Sequence, residues 1–199
     1  KLGGRMTIGE PFQSVTWHMS SSLSHCAPSP MTFSSAGSCV ASARAGNVIG
    51  GGDWAAERIM TDIIQASKSA KPLVLRYPNS TRPWLHVLEP LSGYLRLGLQ
   101  LLGENGRDYA TSWNFGPMSN MERSVKDLAT GMSNRLRPIN LEMSNPEWHE
   151  AGYLRLDSSK AQQLLGWRPA WDFETTLDRI AEWNQHFEAN ESAVAGLEK

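Results

Sequence analysis

The sequence predicts an α/β fold, because strand-like and helix-like segments alternate along it. The run "CVASARAGNVI" at 39–49 is typical of a buried strand, and a helical repeat follows it at 57–69. A leucine-rich helical segment then precedes the strand-like "ATSWNFG" at 110–116. Near the end of the chain, "YLRLD" at 153–157 reads as a further strand, and two helical segments follow it. Residues from 39 onward are therefore expected to form one α/β unit.

The first helices are predicted from apolar residues at three- and four-residue spacing. The segment at 57–69 places one set on a single helical face: Ile59, Met60, Ile63, Ile64 and Ser67. Pro72 admits a short strand at "LVLR", because proline is tolerated at the first residue of a strand. The next helix is amphipathic, ends at Gly103 or Gly106, and carries a leucine repeat: Leu88, Leu91, Leu95, Leu99 and Leu102.

Capping residues mark the helices of the second half. Ser124 is a plausible N-cap for a helix that runs to about Arg135. Asp157 or Ser158 can cap a short helix that stops at Gly166. Asp172 caps the last helix, whose buried face is expected to hold Phe173, Leu177, Ile180, Trp183 or Asn184, and Phe187. We interpret these aromatic residues as core packing and infer no cofactor site from them.

Composition excludes several classes of partner. The 19 Lys and Arg residues nearly balance the 20 Asp and Glu residues, so no overall field favours nucleic acid or an acidic membrane, and local arginines must hold any anionic ligand. No apolar run approaches the roughly 20 residues that span a bilayer. Cys26 and Cys39 are too few for a disulfide framework and lack metal-ligand spacing, which favours a cytoplasmic protein without a metal site.

The chain divides into three regions by composition. Residues 1–38 are crowded with Ser, Thr, Met, Pro and His and keep no regular period for long, so we expect an irregular segment there that is disordered or aberrant. Residues 39–190 carry the regular α/β pattern, and residues 191–199 form a tail.

The glycine run in "SARAGNVIGGGDWAAERI" raises the question of a phosphate loop. A dinucleotide loop needs glycine at its first, third and sixth positions, and "GGGDWA" has Ala55 at the sixth. A P-loop needs Gly-Lys-Ser/Thr, which does not follow. Two interpretations remain open. The glycine run is either a purely structural turn or a loop without side chains whose backbone a bulky ligand can approach, with Asn47 before it and Arg58 after it as polar contacts.

Four segments together resemble one enzyme family. "ARAGNVIGGGDWAAERI", "KPLVLRYPNSTRPWLHVLEPLSGYL", "WNFGP" and "HEAGYLRLDSSKAQQLLGWRPAWDFETTLDRIAEW" follow the order of the C-terminal half of CDP-glucose 4,6-dehydratases. These are extended short-chain dehydrogenase/reductases, and the resemblance covers about residues 40–188. It implies part of a Rossmann-like parallel sheet with a smaller nucleotide-sugar-binding part. It also implies NAD chemistry that converts CDP-glucose to CDP-4-keto-6-deoxyglucose with loss of water.

The resemblance carries substrate-binding roles onto matching positions. Asn47 is similar to the strand-end asparagine that meets the pyrophosphate of the nucleotide-sugar, and Arg58 to a basic residue that opens the next helix near the nucleotide. Arg82 in "TRPWLHV" resembles the arginine that clasps the diphosphate. A guanidinium suits that role because its fork gives two charge-assisted hydrogen bonds to phosphate oxygens. On spacing alone, Arg82 is equally compatible with a surface arginine.

Three further positions follow from the same resemblance. Asn114 in "WNFG" resembles a strand-end asparagine that lines the pocket, and His149 with Glu150 stands where the family has an "HE" segment beside the nucleotide. On spacing alone His149 also reads as a loop histidine. Arg44 within the first strand is expected to support the site through a buried pair.

The catalytic parts of the family do not occur in this sequence. A glycine-rich NAD fingerprint is absent, and none of the tyrosines has lysine four residues on, so no Tyr-x-x-x-Lys pair provides a base and we assign no catalytic or cofactor-binding residues. The resemblance to the family sequence stops after Gly4 and resumes near Ser34. We therefore expect a truncated chain and hypothesise a shifted reading frame over residues 5 to about 33.

Two functional classes follow. One is an NAD-dependent nucleotide-sugar dehydratase, with another dehydratase or an epimerase of the extended family as the alternative, because spacing does not reveal the base. The other is a non-catalytic nucleotide-sugar-binding fragment, which the missing cofactor parts favour for this chain alone. Family members form homodimers through helices that include the Tyr-x-x-x-Lys helix, so the resemblance does not carry that dimer over.

Overall fold

The structure is a computed structural model and describes residues 8–9, 14–19, 39–69, 71–118, 122–144 and 155–197. Ten strands are described: β1 (Ile8–Gly9), β2 (Ser14–Met19), β3 (Cys39–Ala45), β4 (Asn47–Ile49), β5 (Leu73–Leu75), β6 (Thr81–Arg82), β7 (Trp84–His86), β8 (Ser112–Phe115), β9 (Arg123–Ser124) and β10 (Leu141–Met143). Six helices accompany them: α1 (Ile59–Lys68), α2 (Leu88–Leu102), α3 (Gly106–Tyr109), α4 (Val125–Ser133), α5 (Ser159–Leu164) and α6 (Phe173–Leu197). None of the described helices combines the length and apolar character needed to cross a bilayer.

The main sheet has four strands in the order β1-β2-β3-β8. β3 and β8 are parallel, as the α/β prediction requires, and α2 lies between them in sequence. β2 pairs antiparallel with β3, from Ser14 opposite Arg44 to Met19 opposite Cys39. The predicted irregular segment thus contains two strands, and β2 fits this role because "SVTWHM" alternates polar with apolar residues over six positions.

One core lies between this sheet and α2. Alternate residues of β3 are buried, and Trp113 and Phe115 of β8 are almost fully enclosed. The rings of Tyr94 and Trp167 meet Phe115 edge-on, at centroid distances of 5.3 and 5.0 Å. Gly93 permits this approach, because a side chain there would overlap the Phe115 ring.

α2 is confirmed as a helix, but its leucine repeat is not its buried face. All five predicted leucines are exposed, whereas the buried residues are Glu89, Pro90, Gly93, Tyr94, Leu97 and Leu101. The helix carries two apolar stripes, and spacing alone cannot choose between them. Packing decides, because only the stripe that contains Gly93 lets Phe115 reach the helix backbone.

A second core joins α1, α4 and α6 with the parallel pair of β5 and β10. α4 begins at the predicted N-cap, since the Ser124 hydroxyl accepts from the Asp127 N–H and the Asp127 carboxylate accepts from the Ser124 N–H, both at 3.0 Å. α6 begins after Asp172, whose carboxylate accepts from the Thr175 N–H at 2.8 Å. On α6, Asn184 rather than Trp183 is the buried alternative.

Candidate functional site

The glycine turn, residues 50–52, is shaped by packing. A side chain at Gly50 would overlap Val87, and one at Gly51 would overlap the Trp183 ring of α6. Gly52 has φ 78°, a left-handed conformation that favours glycine. Val87 and Trp183 therefore occupy the space into which side chains at 50 and 51 would point. The structural reading of the glycine run therefore accounts for these three residues.

An aromatic cluster holds this turn against the last helix. The rings of Trp183 and Phe187 stack at a centroid distance of 5.1 Å, and Trp54 contacts both at 6.2 and 5.2 Å. The Lys68 ammonium lies 5.9 Å from the Trp54 ring. Trp54 remains half exposed, so its ring offers an open apolar surface beside the turn.

Backbone hydrogen bonds bring three predicted site residues together. The Gly46 N–H donates to the Phe115 carbonyl at 3.2 Å, which joins the ends of β3 and β8. The next N–H, that of Asn47, donates to the Pro83 carbonyl at 3.0 Å. Asn114 directly precedes Phe115, and Arg82 directly precedes Pro83. Asn47, Arg82 and Asn114 therefore lie at one end of the β3–β8 pair.

Glycine at 46 makes this junction possible. A side chain there would overlap the Pro83 carbonyl oxygen, which is the acceptor for the Asn47 N–H. β4 then continues parallel to β7, with Asn47 opposite Trp84. The 82–84 segment is thus fixed against the end of β3 by backbone contacts.

Arg82 is a buried guanidinium, 8% exposed. Its Nη1 donates to the Thr81 carbonyl at 3.0 Å, and it has further interactions. β6 pairs antiparallel with β9 so that Arg82 lies directly opposite Arg123. Side chains directly opposite across an antiparallel pair share one face, so this register brings two cationic residues onto the same face.

Sequence reasoning missed Arg123. The Trp84 indole N–H donates to the Arg123 carbonyl at 2.9 Å, and the Arg123 guanidinium carbon lies 5.8 Å from the Phe173 ring centroid. The available signal was the charged dipeptide Glu122–Arg123 directly before the helix cap. That signal does not identify the partner strand, because β6 and β9 have only two residues each.

Asn114 is half-buried and tied to the segment before α5. Its Nδ2 donates to the Asp157 carbonyl at 3.1 Å. Arg44 lies opposite it in the β3–β8 register and is exposed. The expectation that Arg44 belongs to a buried pair is therefore wrong, because its position on β3 points away from the face that packs against α2.

Arg58 lies at the N-terminus of α1, beyond the glycine turn. It is half-buried, and its carbonyl accepts from the Asp62 N–H at 2.9 Å. The preceding loop is anchored by the Thr61 hydroxyl, which donates to the Asp53 carbonyl at 3.0 Å. His149 and Glu150 lie outside the described residues, so their predicted roles stay predictions.

Burial shifts the pKa of one ionisable group in β7 and one in α2. The His86 Nδ1 accepts from the Leu88 N–H at 3.2 Å, and burial lowers the pKa of this imidazole. Burial raises the pKa of Tyr94 to about 12, so its phenol stays protonated at neutral pH. Within the described ranges, no group of three or more His, Cys, Asp or Glu residues is arranged to hold a metal ion.

A separate cavity of about 210 Å³ lies between α1, α6 and the segment after α4. Its lining includes Ser67, Arg137 and Asn184 and none of the predicted site residues. The Asn184 Oδ1 is buried without a hydrogen-bond partner, while its Nδ2 donates to Glu188. This cavity is therefore distinct from the residues gathered at the end of β3.

Comparisons with solved structures define the class of fold. dTDP-glucose 4,6-dehydratase from Bacillus anthracis in complex with NAD matches with a TM-score of 0.60 and 19% identity, covering 74% of this chain and 45% of that one. UDP-glucose-4-epimerase from Stenotrophomonas maltophila, with bound NAD and formylated UDP-arabinopyranose, matches with a TM-score of 0.60 and 19% identity, covering 75% and 48%. The class of fold is thus the Rossmann-type α/β fold of these dehydratases and epimerases, and this chain has part of it.

Within that class, the chain resembles one particular enzyme in sequence. It is 40% identical over 164 residues to CDP-glucose 4,6-dehydratase of Salmonella typhimurium, across 78% of this chain and 44% of the enzyme. The chain therefore spans less than half the length of this curated relative. No protein-family model matches it.

Proposed function

We propose that this chain supplies the nucleotide-sugar-binding half of a CDP-glucose 4,6-dehydratase. The proposed ligand is CDP-glucose, and the reaction of the whole enzyme would yield CDP-4-keto-6-deoxyglucose with loss of water. The observation that carries the proposal is the meeting of Asn47, Arg82 and Asn114 at one end of the β3–β8 pair. In a parallel sheet, ligands bind outside the carboxyl ends of the strands, which is where these residues lie.

The chemistry of these side chains suits a diphosphate. Arg82 provides a guanidinium on a backbone that is fixed at Pro83, and Arg123 adds a second cationic side chain on the same face of the β6–β9 pair. Guanidinium groups bind phosphate oxygens through paired hydrogen bonds. Asn47 and Asn114 offer amides that can donate to phosphate or sugar oxygens.

Arg58 belongs to this proposal through its place at the start of α1. The N-terminus of a helix carries partial positive charge, and a cationic side chain there adds to it. His149 and Glu150 are proposed to lie beside the nucleotide on the strength of the family "HE" segment. The 40% identity to a CDP-glucose enzyme favours cytidine as the base.

The described residues do not provide a place for NAD, although the structural relatives bind NAD or NADPH. The glycine turn lacks the spacing of a dinucleotide loop, and Val87 and Trp183 pack against Gly50 and Gly51. We therefore derive no hydride-transfer step in this chain. The chain alone is expected to bind the substrate without converting it, which is the function of a nucleotide-sugar-binding fragment.

Titration calorimetry with CDP-glucose tests the proposal. The full chain should bind CDP-glucose more tightly than dTDP-glucose, and Arg82→Gln should weaken binding at least tenfold because it removes a charge-assisted contact to the diphosphate. Arg179→Gln is the matched control, since Arg179 is an exposed arginine of α6 paired with Glu182. The melting temperature of each variant without ligand separates loss of binding from loss of fold.

Two results would contradict the proposal. Equal binding by the Arg82→Gln and Arg179→Gln variants would remove Arg82 from the site. Binding of NAD, seen as a melting shift with NAD alone, would contradict the assignment of the chain to substrate binding.

A further inference from the structure

The stretch directly before α5, residues 155–158, is bound to the carboxyl end of β8. The Asn114 Nδ2 donates to the Asp157 carbonyl at 3.1 Å. The hydroxyl of Ser158, which is buried, donates to the Gly116 carbonyl at 3.3 Å. We call this stretch the 155–158 segment. It lies against the strand end at which Asn114 enters the candidate site.

The first residue of the 155–158 segment forms an ion pair. The Arg155 Nε donates to Glu122 Oε1 at 3.1 Å. The Glu122 side chain is only 10% exposed, whereas that of Arg155 is 50% exposed. An enclosed carboxylate is costly unless a cation and a hydrogen bond compensate its charge, and Arg155 provides both. Arg155 has further interactions, but its contact with Glu122 uses Nε and does not occupy the two terminal nitrogens of the guanidinium.

Glu122 also contacts a second arginine of the candidate site. The Arg123 Nη1 donates to the Glu122 carbonyl at 2.9 Å. Arg123 in turn lies opposite Arg82 in the β6–β9 register. Glu122 therefore connects Arg155 to the two arginines already placed in the site.

The charges of this group suit the diphosphate of a nucleotide-sugar. Arg82, Arg123 and Arg155 each carry a positive charge, and the Glu122 carboxylate compensates one of them. The Asp157 carboxylate is compensated by an N–H at the start of α5, from which it accepts at 2.8 Å. A nucleotide-sugar carries a negative charge on each phosphate, and guanidinium groups bind such oxygens through paired hydrogen bonds.

We propose that Arg155 is a third arginine that binds the diphosphate of the nucleotide-sugar, and that Glu122 positions it for this contact. The inference rests on the proposed function, because it concerns the same site. Glu122 holds the guanidinium through Nε, and the terminal nitrogens bind phosphate oxygens when the ligand arrives. A long side chain that is held before binding loses less conformational freedom in the complex. The ion pair thus raises the affinity for the ligand.

Titration calorimetry of the full chain with CDP-glucose tests the role of Arg155. Arg155→Gln should weaken binding at least about tenfold, and the remaining binding should depend less on salt, because a charge-assisted contact is lost. Arg155→Lys should have an intermediate affinity, because it keeps the charge but cannot form paired hydrogen bonds. Arg179→Gln is the matched control, since the Arg179 side chain is also 50% exposed and pairs with a glutamate, Glu182.

A double-mutant cycle tests whether Glu122 acts through Arg155. In the wild-type background, Glu122→Gln should weaken CDP-glucose binding about threefold or more, although it removes a negative charge beside an anion. In the Arg155→Gln background, the same change should not weaken binding, because only the loss of the negative charge remains. An ion pair that merely supports the fold would not give this difference. The melting temperature of each variant without ligand reports any loss of fold.

Three results would overturn the inference. Equal CDP-glucose binding by Arg155→Gln and Arg179→Gln, while Arg82→Gln weakens it, would remove Arg155 from the site and leave the proposed function in place. A loss of affinity on Glu122→Gln that is the same in both backgrounds would show that Glu122 does not position Arg155. A wild-type chain that does not bind CDP-glucose would overturn the proposed function and this inference together.

Discussion

Arg82 and Arg123 lie directly opposite each other across the antiparallel pair of β6 and β9. Arg82 is buried and Arg123 is exposed. Both residues make further interactions, and the proposed diphosphate would lie near both guanidinium groups. The two residues are 41 positions apart in the chain, and only the pairing of two very short strands brings them together.

The first prediction concerns multivalent anions. Pyrophosphate should raise the melting temperature more than chloride does at equal ionic strength, because it can contact both guanidinium groups. At 100 times its Kd the stabilisation is about 2.7 kcal/mol, which corresponds to a shift of about 5–10 °C for a domain of this size. Differential scanning fluorimetry provides the measurement.

Arg123→Gln should reduce the rise in melting temperature caused by pyrophosphate to less than half of its wild-type value. Arg179→Gln, which alters an exposed arginine of α6, should leave it unchanged. If pyrophosphate and chloride stabilise the wild type equally, the opposed arginines do not form an anion site.

The second prediction concerns the glycine turn. Gly51→Ala should destabilise the chain by about 1–3 kcal/mol, because its methyl group would overlap the Trp183 ring and force that ring to move. Urea unfolding gives the free energy of unfolding. Gly103→Ala is a mild control, since a methyl group there would lie 3.3 Å from the Gln100 carbonyl oxygen.

A double-mutant cycle identifies the cause of that loss. In a Trp183→Ala background, Gly51→Ala should cost much less than in the wild type, because the overlapping ring is gone. An unchanged cost would show that backbone conformation, and not the tryptophan, requires glycine at 51.

The third prediction concerns a buried carboxylate at the start of α2. Glu89 is 5% exposed, and its carboxylate accepts from the Ala170 N–H at 3.0 Å and from the Trp171 N–H at 2.9 Å. Glu89→Gln should lower the free energy of unfolding by about 1.5–3 kcal/mol, because an amide has only one acceptor oxygen and no charge. Chemical denaturation measures this loss.

The control for Glu89 is a solvent-exposed carboxylate side chain. Glu182→Gln changes an exposed residue of α6 that pairs with Arg179, and it should alter stability by less than about 0.5 kcal/mol. A Glu89→Gln effect of the same small size would mean that the Glu89 contacts do not hold the 168–171 segment.

The fourth prediction concerns pH. Burial lowers the pKa of His86 below its usual 6.5, so the unfolded chain takes up a proton at this position more readily than the folded chain does. The contribution of neutral His86 to stability is therefore complete above about pH 6.5 and is lost as pH falls below it. Protonation at Nδ1 would also remove the acceptor for the Leu88 N–H.

His86→Asn should flatten the dependence of stability on pH below about pH 6.5. Denaturation at a series of pH values measures the slope. His186→Asn is the control, because His186 is exposed on α6. A slope that persists in His86→Asn would assign the acid sensitivity to other groups.

Local signals predicted the parts of the fold that local chemistry determines. The cap at Ser124 and the start of α6 after Asp172 were correct, because a capping side chain acts within three residues of its own position. The buried stripe of α2 was missed, since the choice depends on contact between Gly93 and Phe115. The spacing of apolar residues along the helix does not reveal a contact with a distant strand.

In the candidate site, too, the sequence predicted what depends on local order and missed what depends on long-range contacts. Asn47 follows the end of β3 and Asn114 lies one residue before the end of the parallel strand β8, so their proximity could be expected from the order of motifs. Arg123 could not be found, because its link to Arg82 depends on the pairing of two-residue strands far apart in the chain. The role of Trp183 beside Gly51 was equally hidden, because α6 begins more than a hundred residues after the turn.

The position of β2 has a consequence for how the main sheet could be widened. β3 is hydrogen-bonded along both of its edges, to β8 on one side and to β2 on the other. A strand arriving from another polypeptide could extend the sheet at β8 or β1, but it could join β3 only by displacing β2. Adding a new strand beside β3 would therefore be an exchange of strands, in which β2 dissociates from β3 as the new strand pairs with it.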